Sequence, residues 1–296
     1  MTGSSHRTVL ITGCTTGGIG HALAKEFHKR GVKVFATTRN PTTMQDLVDD
    51  PDIEAFALDV CDEDSIQAAV LRVEKVTGGK LDILVNNAGG TEGPQEVIYP
   101  AVETDIEHAK AMYDLNFFSV IRMVKAFTPL LLNAGRTSPA HIFNIGSGAG
   151  EMPTPYVSAY GSAKAAVRAW GDTLRVELAP FNVTVTTVIS GMTSNSKNVA
   201  LTPLLLVPDS IYKPVETVFK ETWPKLNASP MPSSVYAVTV VNEALKSNPR
   251  AWLYAGKMST MIWAAKSFMP IGLGDYAVKK IWAFDKLREQ WRASAS

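Results

Sequence analysis

The chain has 296 residues, 46% of them hydrophobic and 19% charged, an ordinary globular composition. Lysine plus arginine number 29 against 28 acidic residues, a net charge of +1 with no basic run, so no nucleic-acid partner is expected. Two cysteines, Cys14 and Cys61, stand at no metal or redox spacing, which excludes a disulfide framework and points to a reducing, cytoplasmic setting.

Short apolar runs alternate with helical patterns, and no internal repeat is present. Strands are predicted over 8–12 (TVLIT), 33–38 (KVFATT), 54–60 (EAFALDV), 81–87 (LDILVNN), 141–146 (HIFNIG), 183–190 (VTVTTVIS) and 252–256 (WLYAG). Helices are predicted from IGHALAKEFHKR up to Gly31, over 62–76, over 105–133 and over 157–179. Apolar strands alternating with helices imply an α/β fold, a Rossmann-type doubly wound parallel sheet of about seven strands covered on both faces. No leader is expected before the first strand. No run of 18 apolar residues predicts a membrane span, and the nearest, 258–274, is broken by Lys266 and Pro270.

The segment TVLITGCTTGGIGHALAKEF sets a glycine-rich turn between the first strand and a helix. Gly13, Gly18 and Gly20 suit a sharp turn, close approach to a pyrophosphate and tight helix packing. The helix N-terminus offers N–H donors to phosphate. There is no Gly-Lys-Ser/Thr ending, which argues against an ATP-type loop. The end of the second strand reads ATTRNP, with no acid between Val34 and Thr38 and Arg39 next. An acid there would bind a ribose 2′-hydroxyl, whereas arginine suits a 2′-phosphate, so NADPH is preferred over NADH.

SAYGSAKAAVRAW (158–170) carries Tyr160 and Lys164 four apart, on one helix face. A free phenol titrates near pH 10, and an ammonium beside it is expected to lower that value. The pair then suits proton transfer at a carbonyl or alcohol oxygen. Ser147 lies 13 residues earlier, just past a strand, where its hydroxyl can bond the same oxygen. The small residues of GSGAG are expected to leave room for a ligand.

These pieces, in this order, resemble the short-chain dehydrogenase/reductase family: TGCTTGGIG, LDV, NNAG, Asn116, Ser147 and Tyr160-x-x-x-Lys164, spread over nearly 200 residues. The resemblance implies a catalytic tetrad of Asn116, Ser147, Tyr160 and Lys164. It implies adenine contacts from Asp59 and Val60, and cofactor support from Asn87, Ala88 and Gly89 of NNAG. Thr15 and Ile19 of the glycine loop, Gly191 and Thr193 complete the implied cofactor set. Pairing through the two long central helices, as a homodimer or homotetramer, is also implied. Two departures stand out. Four residues separate Gly13 from Gly18 where the family has three, so either Gly17 or Gly18 fills the usual place. The family's Pro-Gly after strand six is Ser190-Gly191, with Asn195 where a threonine is usual and Thr193 nearer.

ITGCTTGGIGHALAKEF, PFNVTV, MPSSVYA and the apolar tail further resemble the fungal and yeast NADPH-dependent 1-acyldihydroxyacetone-phosphate reductase-like branch. That implies a ketone or alcohol substrate that is lipid-like or otherwise bulky, such as a polyketide, terpenoid or steroid. One domain over 1–296 is expected, with a substrate-covering segment at 192–235 and an apolar C-terminal extension at 257–296. Within the segment, Leu204, Leu205 and Leu206 suit either an apolar pocket or a satellite core. The extension suits either a pocket cover or a membrane surface, at the endoplasmic reticulum or lipid droplets. Two other classes are weighed: a cofactor-binding regulatory protein without turnover, and a lipid hydrolase. The hydrolase lacks its Gly-x-Ser-x-Gly elbow, because Ile145 stands two residues before Ser147.

Overall fold

The computed structural model describes residues 7–90, 99–194, 206–207, 209–226 and 228–293. Seven strands form one parallel sheet: β1 (Thr8–Thr12), β2 (Lys33–Thr38), β3 (Ile53–Ala57), β4 (Ile83–Asn86), β5 (Ala140–Ile145), β6 (Val183–Ser190) and β7 (Trp252–Ala255). Their order is β3-β2-β1-β4-β5-β6-β7. The order reverses between β1 and β4, and that crevice is where such sheets bind ligands.

The helices are α1 (Ile19–Lys29), α2 (Gln45–Val48), α3 (Glu63–Thr77), α4 (Ile106–Tyr113), α5 (Ser119–Gly135), α6 (Ser158–Leu178), α7 (Glu216–Leu226), α8 (Ser233–Ala244), α9 (Ser259–Phe268), α10 (Ile271–Ile281) and α11 (Phe284–Ala293). Val9 and Ile11 of β1 join Leu23 and Phe27 of α1 and Val240 of α8 in one core layer. Leu10, between them, joins Val73 of α3 and Phe127 of α5 in the other. Alternate side chains of one strand thus enter opposite layers, which is why β1 runs Val9-Leu10-Ile11 without polar alternation. Phe27 and Phe127 are fully buried, and each contributes roughly 1.5–3 kcal/mol by leaving water.

Local chemistry explains the boundaries. Asp62 caps α3 by accepting from the backbone of Asp64 and Ser65, and Gly78 ends it in the left-handed region. β3 stops at Ala57, earlier than expected, because Asp59 turns the chain and its carboxylate accepts from the Cys61 N–H at 2.9 Å. β4 begins later than expected. Leu81 donates instead to the Leu130 carbonyl of α5, and Asp82 accepts from the Thr8 N–H at 2.8 Å. The helix expected over 105–133 runs from Ile106 to Gly135, with a π-helical turn at Asp114–Phe118. It is long and apolar enough to cross a membrane, but Met123, Phe127, Leu130 and Leu131 are buried against the sheet.

A third, smaller cluster joins Tyr156, Leu206, Phe219 and Trp282. Tyr156 lies edge-on to Phe219 and Trp282, with ring centroids 4.6 and 5.3 Å away. Leu206 is therefore satellite core; Leu204 and Leu205 lie outside the described residues.

Candidate active site

At the crevice, Gly13 (φ +74°) and Gly17 (φ +78°) occupy the left-handed region that favours glycine. Gly18 is extended (φ −82°, ψ 172°) and caps α1, so Gly17 is the member of the pair whose conformation demands glycine. The extra loop residue is absorbed sideways. The Thr16 N–H donates to the Thr43 carbonyl at 2.8 Å, and its hydroxyl reaches Asp46 at 3.2 Å. Burial pushes the Asp46 carboxyl up, but hydrogen bonds from Lys25 and His21 outweigh it and hold the group down at about 2. A side chain on Gly20 would strike the Gly13 carbonyl and come within 2.6 Å of Asn87 Nδ2. Asn87 spends that amide on the loop, donating to the Thr12 and Gly13 carbonyls at 2.8 and 3.1 Å. The Ala88 N–H donates to the Thr12 hydroxyl at 2.9 Å.

This cradle fits a dinucleotide phosphate. No side chain caps α1 and its first turn, from Ile19, holds no acid, so its N–H dipoles face the crevice unopposed. Arg39 is exposed just past β2, while the Thr15 hydroxyl lies 3.3 Å from that of Thr38. Val60 is buried and Asp59 half-buried beyond β3. On the opposite side, a Cβ on Gly191 would strike the Lys257 carbonyl, so chain packing dictates that glycine. Thr193 is buried and its hydroxyl donates to the Gly191 carbonyl at 3.2 Å.

Asn116, Ser147, Tyr160 and Lys164 converge beside this cradle. Asn116 sits in the π-helical turn, fully buried. Its amide donates to the Gly90 and Met112 carbonyls at 2.9 and 3.0 Å, and its carbonyl accepts from the Gly90 N–H at 3.0 Å. A side chain on Gly89 (φ +156°) would come within 2.7 Å of Asn116 Oδ1 and 3.1 Å of Lys164 Nζ, so these groups share one floor. Lys164 is buried and donates to the Ile145 carbonyl, the last of β5, at 3.0 Å. Its ammonium lies 5.8 Å from the centre of the Tyr160 ring. Ser147, in extended backbone after β5, accepts from the Ala149 N–H at 3.2 Å and hydrogen-bonds the Tyr160 phenol.

The electrostatics correct one expectation. Burial pushes the Tyr160 phenol up, and the Ser147 hydroxyl only partly offsets this. The same burial pulls Lys164 down to about 8, against its hydrogen bond to Ile145. In the protein alone, desolvation outweighs the help of an ammonium at this distance.

Within GSGAG, two glycines also serve packing. A side chain on Gly148 would strike Ile262 of α9, and one on Gly150 would come within 2.8 Å of the Ala165 N of α6. These two positions admit two helices closely on either side of Ser147. The pairing of GSGAG with Gly161, whose Cβ position lies 2.7 Å from the Ala149 carbonyl, was not legible from spacing. Nor was Tyr156, buried at φ +72° four residues before Tyr160.

Residues 7–202 match the family model described as short chain dehydrogenase. The chain belongs to the short-chain dehydrogenase family. It is 40% identical to the short-chain dehydrogenase ptmH of Penicillium ochrochloron over 277 residues, 93% of this chain and 97% of that protein. It is 39% identical over 221 residues to the NADPH-dependent 1-acyldihydroxyacetone phosphate reductase of Schizosaccharomyces pombe, covering 73% and 71% of the two chains. A crystal structure of a short-chain dehydrogenase from Streptomyces avermitilis shares the fold, with a TM-score of 0.74, 24% identity and 98% and 99% coverage. The chain is thus a dehydrogenase/reductase of a family that binds NAD(P) and acts on small molecules.

Proposed function

We propose that this enzyme interconverts a ketone and a secondary alcohol on a bulky lipophilic substrate, and that it prefers NADPH to NADH. The observation that carries the reading is the convergence of Tyr160, Ser147, Lys164 and Asn116 beside an uncapped helix start at the sheet's switch point. Gly13, Gly17, Gly20 and the α1 N-terminus would hold the dinucleotide's phosphates, and Arg39 its 2′-phosphate. A bound nicotinamide would supply or accept the hydride.

The chain's own residues handle the proton. Burial keeps the Tyr160 phenol protonated at neutral pH, the form that donates to a carbonyl oxygen in the reductive direction. The Ser147 hydroxyl donates a second hydrogen bond to that oxygen. The Lys164 ammonium opposes charge left on the phenol oxygen, and Asn116 fixes the Gly89–Gly90 backbone against which both rest. The likeness to the NADPH-dependent 1-acyldihydroxyacetone phosphate reductase of Schizosaccharomyces pombe supports a lipophilic substrate, such as an acyl-dihydroxyacetone-phosphate-like lipid or a polyketide, terpenoid or steroid.

Arg39 supplies the test of cofactor choice. Arg39→Ala is expected to weaken NADPH by about tenfold or more, from a charge-assisted contact of roughly 1.5–3 kcal/mol, and to leave NADH nearly unchanged. Titration of both cofactors by fluorescence measures this. Equal losses for the two would mean that Arg39 does not read the phosphate.

A further inference from the structure

The C-terminal helices leave an apolar surface uncovered. Phe268 is 75% exposed and Ile271 83% exposed, and Trp263, Leu273 and Tyr276 are exposed with them. Isolated exposed apolar residues need no explanation, but five large ones on two successive helices, with the Trp263 and Phe268 rings 5.7 Å apart, do. The one buried aromatic of this extension is Trp282, which plugs it into the cluster around Tyr156. Beyond that anchor, α9 and α10 add almost nothing to the core; their buried residues are Ser259 and Gly274.

We propose that α9 and α10 dock the enzyme on an anionic lipid surface. Charge selects this occupant. Residues 257–293 hold seven lysines and arginines against three acids, whereas the whole chain balances at +1. Lys266 and Lys279 are exposed among the apolar side chains, as is Lys280, which pairs with Asp285 at 2.7 Å. Such long stems keep their charge at the headgroup level while apolar neighbours enter the acyl boundary. A two-fold contact with a second copy would set this basic surface against itself. With 10 and 11 residues, the helices are each about half the ~20 needed to span a bilayer, so they lie on it.

Position gives the docking a use. Ile262, on the inner side of α9, packs on Gly148 next to Ser147, so the docking helix itself borders the catalytic floor. A lipophilic substrate dissolved in the lipid layer would then reach the site without crossing water. That use rests on the function proposed above; the docking itself does not.

The test is co-sedimentation of the full chain with vesicles of phosphatidylcholine, with and without phosphatidylserine, scored without substrate or cofactor. The chain is expected to bind the phosphatidylserine vesicles, less so as salt rises. The double variant Phe268→Asp/Ile271→Asp should lose about tenfold or more of that binding. Lys266→Glu/Lys279→Glu should lose binding to the anionic vesicles at an unchanged melting temperature, which separates docking from folding. Absence of wild-type binding to either vesicle, or wild-type binding retained by both double variants, would overturn the proposal. So would a wild type that sediments as a larger assembly than Phe268→Asp/Ile271→Asp without vesicles, because a second copy would then own the face.

Discussion

Tyr160→Phe is expected to lower kcat by about 10²–10⁴, the usual worth of a positioned acid or base, while cofactor affinity and melting temperature stay near wild type. The substitution deletes one oxygen and leaves a ring of the same shape in a half-buried site. Its lost partner, the Ser147 hydroxyl, stays half-exposed and can turn to water. Steady-state kinetics with one reducible ketone, beside a thermal melt and an NADPH titration, separates the three quantities. Near-normal kcat would remove Tyr160 from the proton path.

Lys164→Met is expected to lower kcat by about 10² or more, because the developing phenol charge loses its ammonium. It also carries a signature independent of turnover. The folded pKa of Lys164, about 8, lies below its ordinary 10.5, so between those values the unfolded chain binds more protons than the folded one. Wild-type stability should therefore rise relative to the variant as pH increases from about 8 to 10.5, by up to about 3 kcal/mol. Denaturant melts of the cofactor-free proteins across that range measure it. Parallel stability curves would mean that Lys164 is not a buried ammonium.

The central strands were legible because they are buried on both faces and read as mostly apolar runs. The exceptions lie where side chains intervene: Asp82 bonded to Thr8 delays β4, and Asp59 ends β3. The four residues that converge on the crevice were named from sequence, since the loop glycines, Ser147 and Tyr160-x-x-x-Lys164 keep a fixed order around strand ends. Their protonation was not legible. The pair spacing indicates only that an ammonium is near the phenol, whereas the depth of burial decides the direction. Two adjacent glycines, Gly17 and Gly18, differ only in backbone angle, so nothing in the letters distinguishes them. In GSGAG, composition alone does not show that Gly148 and Gly150 also admit α9 and α6. The C-terminal helices escaped a sequence assignment, and most of their large apolar residues face outward rather than into a core.

The proposed reaction is hydride exchange between a bound nicotinamide and a lipophilic carbonyl at the floor built by Tyr160 and Lys164. Incubating the enzyme with NADPH deuterated at the nicotinamide C4 and a panel of bulky ketones, then reading the products by mass spectrometry, tests it most directly. The expected result is deuterium on the carbinol carbon of at least one product, abolished in Tyr160→Phe. Tight NADPH binding with no labelled alcohol from any ketone would contradict it and leave a cofactor-binding protein without turnover.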